Sequence, residues 1–154
     1  MKKRFTALFL AVLFVVTGII VGDQKAFAQE TVEQVTISDV LTDDALIGYS
    51  ESYTRGVYLA RGISVINDAG GGRIGCGGIT EAAKKCKVSV TSIVERKVNG
   101  SWAQVTSWTS TNTYAYSASI SKYLSVGSGY YYRVRSVHYA STDVSSSCTD
   151  SLWM

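Results

Sequence analysis

The chain of 154 residues contains no proline. Proline is one of the residues that keep the exposed edge strands of a sheet from pairing with other chains. If this chain forms a sheet, its edges must therefore be protected by charge, twist or covering segments. Its turns are marked by glycine, asparagine and aspartate instead, as in NDAGGG at 67–72 and in Asn99-Gly100.

Residues typical of catalysis are scarce as well. His138 is the one histidine, and no serine lies in a Gly-x-Ser-x-Gly or similar nucleophile context. The glycine-rich GGGRIG at 70–75 lacks the Gly-Lys-Ser/Thr that completes a phosphate loop. The three cysteines and His138 match no familiar zinc spacing. We therefore predict no catalytic activity, no cofactor and no metal site, and the alternative is a small hydrolase that would depend on His138.

A long apolar run occurs only near the start of the chain. The bases Lys2, Lys3 and Arg4 precede apolar residues 5–21, and the small residues Ala26 and Ala28 follow them. This pattern predicts a secretory signal peptide at 1–28 that is cleaved after Ala28. An uncleaved membrane anchor is the alternative. With cleavage, we expect a secreted, extracellular protein without stable membrane insertion.

The charges are divided between two segments. Residues 29–51 hold six acids and no base, whereas residues 55–154 hold eleven bases and five acids. The segment 29–54 is too poor in apolar residues to build a core, so we expect a flexible acidic arm with at most one short helix near 38–46. Such an arm could screen the basic domain that follows it, at 55–154.

The basic domain is rich in Val, Ser, Thr and Tyr, and its turn signals separate short strands. We predict seven antiparallel strands, at about 56–66, 73–82, 87–98, 101–110, 113–124, within 127–139 and at 145–154. Seven short strands in about a hundred residues predict an all-β fold, an antiparallel sandwich of the immunoglobulin-like class.

The clearest hairpin turns at Asn99-Gly100, a pair typical of type I′ turns. An unbroken register from this turn places Trp102 and Trp108 on one face, opposite Lys97 and Thr91. On the same face Glu95 would meet Gln104 and Ile93 would meet Thr106. The other face, with Val94 and Val105 in register, is the better candidate for the core.

The segment from Leu124 to Ser136, LSVGSGYYYRVRS, resembles the fibronectin type III pattern around strand F. VERKVNGSWAQV resembles the C and C′ strands of the same family. The resemblance covers roughly 57–154 and implies that Tyr130 is the corner tyrosine, whose hydroxyl bonds to nearby backbone. The whole chain also resembles an uncharacterised family of small secreted proteins of Gram-positive bacteria, which implies export but no activity.

Alternation along this strand predicts two faces. Tyr130, Tyr132 and Val134 would point into the core. Trp102 and Trp108 would join the outward side chains as a candidate binding surface, whose members are Trp102, Trp108, Tyr131, Arg133, Arg135 and Tyr139. Two interpretations stay open: internal pairing of Glu95 with the arginines and of Lys97 with Trp102, or a platform for an extracellular ligand.

Three cysteines leave an odd thiol in an exported chain. Cys76 and Cys86 are close enough in sequence for a disulfide, which would leave Cys148 free or intermolecular. Pairing of Cys148 with either of the others is the alternative, because sequence does not determine connectivity.

The predicted function is a noncatalytic extracellular binding or interaction role. A basic domain with an aromatic surface suits an anionic cell-wall polymer, a glycan or an extracellular protein, and we expect no nucleic acid partner. An antagonistic, bacteriocin-like peptide is the second class, which export and small size permit.

Overall fold

The computed structural model describes residues 31–50 and 57–154. The predicted signal peptide at 1–28 lies outside the described residues. Within them the protein is almost entirely β-structure, and all of the strands belong to one antiparallel sheet. The prediction of an antiparallel all-β fold is therefore confirmed.

Eight strands and one short helix follow one another along the chain. They are β1 (Val32–Gln34), α1 (Ile37–Val40), β2 (Leu46–Tyr49), β3 (Leu59–Gly70), β4 (Arg73–Val98), β5 (Ser101–Ser125), β6 (Tyr131–Ala140), β7 (Asp143–Cys148) and β8 (Leu152–Trp153).

Two of these strands are much longer than an average strand, at 26 residues for β4 and 25 for β5. The sequence predicted two strands in each segment, but both segments continue as β-structure. The register between β4 and β5 shifts at Glu81, Cys86 and Val88, so the long ladder is irregular near its middle.

The irregular region divides the sheet into two parts. In the arm-bearing half, residues 73–82 of β4 lie between β3 and residues 117–125 of β5, with β2 and β1 at the two edges. In the hairpin half, residues 88–98 of β4 lie between residues 101–112 of β5 and β6, and β6 also pairs with β7 and β8.

The two halves pack face to face, since β3 contacts β6 and β7 and β2 contacts β7. Glycines leave room for the opposite half at three places. A Cβ on Gly62 would overlap the imidazole of His138, and one on Gly48 would overlap the carbonyl of Cys148. A Cβ on Gly78 would lie 2.6 Å from Ser92 Oγ, which is also too close.

The core consists of two clusters, one in each end of the space between the halves. The larger cluster contains Ile66, Ile74, Leu124 and Tyr132, with further buried residues of β4 and β6. The smaller is built from Ala82, Val88, Val90, Ala118 and Ala140. Tyr132 and Val134 are fully buried, as the alternation along β6 predicted.

The acidic arm differs from the expectation of a flexible segment. Its residues 31–50 add β1, α1 and β2 to the sheet, and Val40 is completely buried. Glu33 also pairs with Arg73 at 3.5 Å. The few apolar residues of the arm are sufficient because they complete a core that the other strands already form.

The predicted hairpin turn is present, with positive φ angles at Asn99 (49°) and Gly100 (82°). Both angles are those that a type I′ turn requires, and asparagine and glycine tolerate them best. Val98 faces Ser101 and Lys97 faces Trp102, as predicted from the turn.

The hydroxyl-to-backbone bond that the resemblance implied for Tyr130 is made by Tyr132 instead. The Tyr132 hydroxyl donates a hydrogen bond of 2.9 Å to the carbonyl of Gly127. Tyr130 precedes β6, is exposed, and has its ring under the guanidinium of Arg96 at 4.6 Å. The sequence prediction placed this hydrogen bond two residues too early in the chain. Tyr130 precedes β6, which begins at Tyr131, and Tyr132 is the first inward residue of the strand.

The predicted Cys76–Cys86 disulfide is wrong, and all three cysteines are free thiols. Both residues lie on β4, but Cys76 pairs with Lys122 of β5 and Cys86 pairs with Ala115, seven positions away along β5. A disulfide needs Cα atoms within about 7 Å. Cys148 forms no disulfide with either of them, since its thiol is free as well.

We predict that Tyr132→Phe lowers the free energy of unfolding by about 1–2 kcal/mol, because it leaves the Gly127 carbonyl without its buried donor. Tyr130→Phe is the matched control and should change it little. Urea denaturation of both variants checks this, and equal effects would contradict the assignment of this bond to Tyr132.

Thiol reactivity tests the cysteine assignment. Burial raises the pKa of the Cys76 thiol to about 12, so this thiol should react with a disulfide reagent only after unfolding. Cys148 is exposed and should react in the native protein. Detection of a Cys76–Cys86 peptide in a nonreduced digest by mass spectrometry would refute the assignment.

Candidate functional site

The candidate surface lies on the outer face of the hairpin half. Side chains alternate along β6, so Tyr131, Arg133, Arg135 and Tyr139 point away from the core. β6 pairs with β4, and Glu95 lies directly opposite Arg133. The predicted contact between these two strands and the outward set of β6 are therefore confirmed.

Glu95 is the centre of this face. Its carboxylate accepts one hydrogen bond from Arg133 Nε at 2.7 Å and another from Arg135 Nε at 3.4 Å. The three groups are partly or largely buried, which strengthens their attraction relative to a fully exposed ion pair. One carboxylate thus holds two guanidinium groups in place.

The ring of Trp102, on β5, lies against two cations of this face. The guanidinium carbon of Arg133 lies 4.2 Å from the Trp102 ring centroid, and Lys97 Nζ lies 5.8 Å from it. We call Glu95, Lys97, Trp102, Arg133 and Arg135 the arginine–tryptophan cluster. The predicted internal pairing of Glu95 with the arginines and of Lys97 with Trp102 is confirmed.

Trp153 extends this surface and was missed from the sequence. β8 pairs with the start of β6, which sets Trp153 opposite Tyr131. The two rings meet edge to face, with centroids 4.8 Å apart. The only signal in the sequence was an aromatic residue near the end of the last strand.

Trp108 does not belong to the surface. A bulge in β5 shifts the register after Glu95–Gln104, so Val94 faces Thr106 and Ser92 faces Trp108. The prediction of Ile93 opposite Thr106 and Thr91 opposite Trp108 is wrong by one residue. As a result Trp108 turns inward, and both it and Val105 pack against the core, which an unbroken register would not permit.

Tyr139 is outward but distant from the cluster. It lies opposite Ser89 on β4 and Val144 on β7. It lies four positions beyond Arg135 along β6, which is roughly 13 Å of extended strand. The sequence-predicted residues that lie together are therefore Trp102, Tyr131, Arg133 and Arg135.

A second exposed patch was also missed from the sequence. Lys85 Nζ lies 5.6 Å from the ring centroid of Tyr114 and 5.7 Å from that of Tyr116. These tyrosines are 74% and 56% exposed, and Lys84 and Lys87 are exposed beside Lys85. We call these five residues the lysine–tyrosine corner. In the sequence, only the motifs KKCK at 84–87 and YAY at 114–116 indicated this patch.

His138 lies in the interior between the two halves, and its side chain is fully buried. Thr80 Oγ1 donates to the carbonyl of Ser89 at 3.0 Å, so it accepts from His138 Nδ1 at 2.8 Å. His138 Nε2 then accepts from Ser147 Oγ at 2.8 Å, and Ser64 Oγ lies 2.6 Å from Ser147 Oγ. We infer the neutral Nδ1–H tautomer from this chain of bonds.

Burial lowers the pKa of His138 to about 4. The imidazole therefore stays neutral at physiological pH. Ser147 lies beside it, but a threonine hydroxyl, and not a carboxylate, bonds to the other ring nitrogen. The arrangement joins four strands and differs from that of a nucleophile with an oriented base.

No group of three or more His, Cys, Asp or Glu side chains with metal-binding geometry occurs in residues 31–50 and 57–154. In the same residues, no helix is long and apolar enough to cross a membrane. No protein-family model, curated protein or solved structure matches the chain. A proposal for its function therefore rests on the geometry of the outer face.

The buried histidine predicts a pH-dependent stability. In the unfolded chain the imidazole titrates near 6.5, whereas in the folded protein it titrates near 4. The unfolded state therefore binds more protons between these values. The free energy of unfolding should be highest above pH 6.5 and should fall by about 3 kcal/mol on the way to pH 4.

Urea denaturation as a function of pH measures this loss. His138→Gln removes the titrating group and should flatten the dependence between pH 4 and 6.5. An unchanged slope in that variant would show that other groups cause the loss.

Proposed function

We propose that the protein is a secreted, noncatalytic binding protein for an anionic extracellular polymer, such as a cell-wall polymer or a charged glycan. The binding surface is the arginine–tryptophan cluster together with Tyr131 and Trp153. Secretion rests on the predicted signal peptide at 1–28.

One observation carries the proposal. Both arginines bond to Glu95 through Nε, and within the described part of the chain their terminal nitrogens make no hydrogen bond. These nitrogens are the donors that recognise phosphate and carboxylate groups. Glu95 and Trp102 thus hold two guanidinium groups in position while their terminal donors remain available.

The charge and the shape of the face support the same ligand class. The cluster contains three cations and one carboxylate, so it retains a net positive charge. Tyr131 and Trp153 add flat, amphipathic surface beside it, and aromatic rings of this kind stack on sugar rings and exclude water from ionic contacts. A polymer that carries anionic groups on a sugar or polyol backbone fits both features.

The buried histidine supports a noncatalytic role. Its neutral ring is enclosed between the halves of the sheet, so a substrate would have to separate them to reach it. We therefore place the function on the outer face, and the antagonistic alternative gains no support from any contact described above.

We also propose that the fold is an immunoglobulin-like sandwich of the fibronectin type III kind. Its support is the order of residues 101–112, residues 88–98, β6 and β7 in the hairpin half, which parallels the C′, C, F and G strands of such sandwiches. The bond from the Tyr132 hydroxyl to the Gly127 carbonyl resembles a tyrosine corner.

The position of the acidic arm limits which basic residues it could screen from a ligand. Glu33 neutralises Arg73 on the arm-bearing half, whereas the arginine–tryptophan cluster lies on the hairpin half. Because Val40 of the arm is part of the interior, deletion of 29–54 would disturb the fold as well as the charge. Glu33→Gln is a cleaner change, and it should affect polymer binding little.

Binding of purified protein to teichoic acid and to peptidoglycan, measured by sedimentation, tests the function. The double variant Lys97→Gln/Arg135→Gln removes two positive charges from the cluster and keeps the Glu95–Arg133 pair. We expect affinity to fall at least about tenfold, because each lost contact to an anion is worth more than 1 kcal/mol.

Lys84→Gln/Lys87→Gln is the matched control, with the same loss of charge at the lysine–tyrosine corner. This control should bind nearly as well as the wild type. An equal loss of affinity in the two double variants would indicate attraction by net charge alone. Unchanged binding in Lys97→Gln/Arg135→Gln would reject the proposed surface.

A further inference from the structure

The outer edge of β5 is long and largely without a strand partner. β5 pairs with β4 along one edge. On its other edge, β1 pairs only with Lys122–Leu124, and the amide of Val35 reaches the carbonyl of Ser121. Among the described residues, no strand pairs with this edge between Trp102 and Ile120.

This edge lacks the usual protection against pairing. Residues 101–121 contain no charged residue, no proline and no glycine. Exposed edge strands are normally short, or carry lysine, proline or a covering segment, because their open N–H and C=O groups form a template for another strand. Such groups bind an added strand through backbone hydrogen bonds.

A regular segment lies in the middle of the edge. Thr106–Asn112 pairs one to one with Val88–Val94 of β4, without a bulge. Its seven residues exceed the commonest strand length of about five or six. Thr109 is the central residue, and on the outer face its hydroxyl lies 2.8 Å from that of Thr91.

We propose that this segment pairs with the same segment of a second copy of the chain, antiparallel about a twofold axis near Thr109. The pairing would set Thr109 opposite Thr109 of the second copy, Ser107 opposite Thr111, and Trp108 opposite Ser110. The two hairpin halves then form one continuous sheet across the axis.

The segment itself favours a second copy over a foreign peptide. Antiparallel self-pairing brings no like charges together, because the segment has none. It places threonine opposite threonine or serine, and such cross-strand pairs are favourable. Pairing of one patch with itself also closes the assembly at a dimer. A foreign peptide would gain specificity from charges or pockets, and this edge offers no charge.

Sedimentation velocity and light scattering of the purified protein, from low micromolar to near millimolar concentration, test the proposal. We expect the mass of the wild type to rise from that of one chain to that of two. Thr109→Lys sets two lysines against each other at the axis and should keep the protein monomeric over the same range.

Thr91→Lys is the matched control. It adds the same charge on the same face and removes the same hydroxyl contact, but β4 is flanked by β5 and β6, so no strand can add there. This variant should still dimerise. Circular dichroism verifies the fold of each variant, and if Thr109→Lys does not fold, Ser107→Lys replaces it.

A wild type that stays monomeric at all concentrations overturns the proposal. A dimer that survives Thr109→Lys or Ser107→Lys places the interface elsewhere and also overturns it, as does a loss of the dimer in Thr91→Lys.

Discussion

The close approach of the two halves of the sheet is the constraint on which the rest of the structure depends. β4 and β5 run through both halves, and glycines at 48, 62 and 78 leave room for the opposite layer. Where the layers meet, polar groups are enclosed, and each needs a partner. The hydroxyls of Ser64, Thr80 and Ser147 and the ring of His138 satisfy one another there.

The residues that hold the two halves together differ from those proposed to bind a ligand. The histidine between the halves is held neutral by burial and by hydroxyl partners. The surface proposed for recognition is the outer face, where Glu95 holds two arginines and the Trp102 ring lies against one of them. The same contacts that stabilise the sheet also hold the arginines in place, so internal pairing and ligand binding are compatible on this surface.

Local signals were sufficient where a single strand or turn decides the outcome. Asn99-Gly100 predicted the turn, and alternation predicted the faces of β6 and the contact between Glu95 and Arg133.

Tertiary packing determined the features that the sequence did not predict. The bulge at Val105 exists because both Val105 and Trp108 reach the core, and no pattern within β5 marks it. The continuity of β4 through 82–87, where its ladder with β5 is interrupted, was not predicted either, and it separates Cys76 from Cys86. The arm became ordered because of a core that the rest of the chain provides.

The central claim is that the chain's one histidine is a neutral structural group that joins the halves of the sheet. Nitrogen NMR of the imidazole at neutral pH tests it most directly, since the chemical shifts report which ring nitrogen carries the proton. The account predicts one Nδ1–H tautomer that persists as the pH falls towards about 4. A mixture of tautomers, or protonation near pH 6.5, would contradict it.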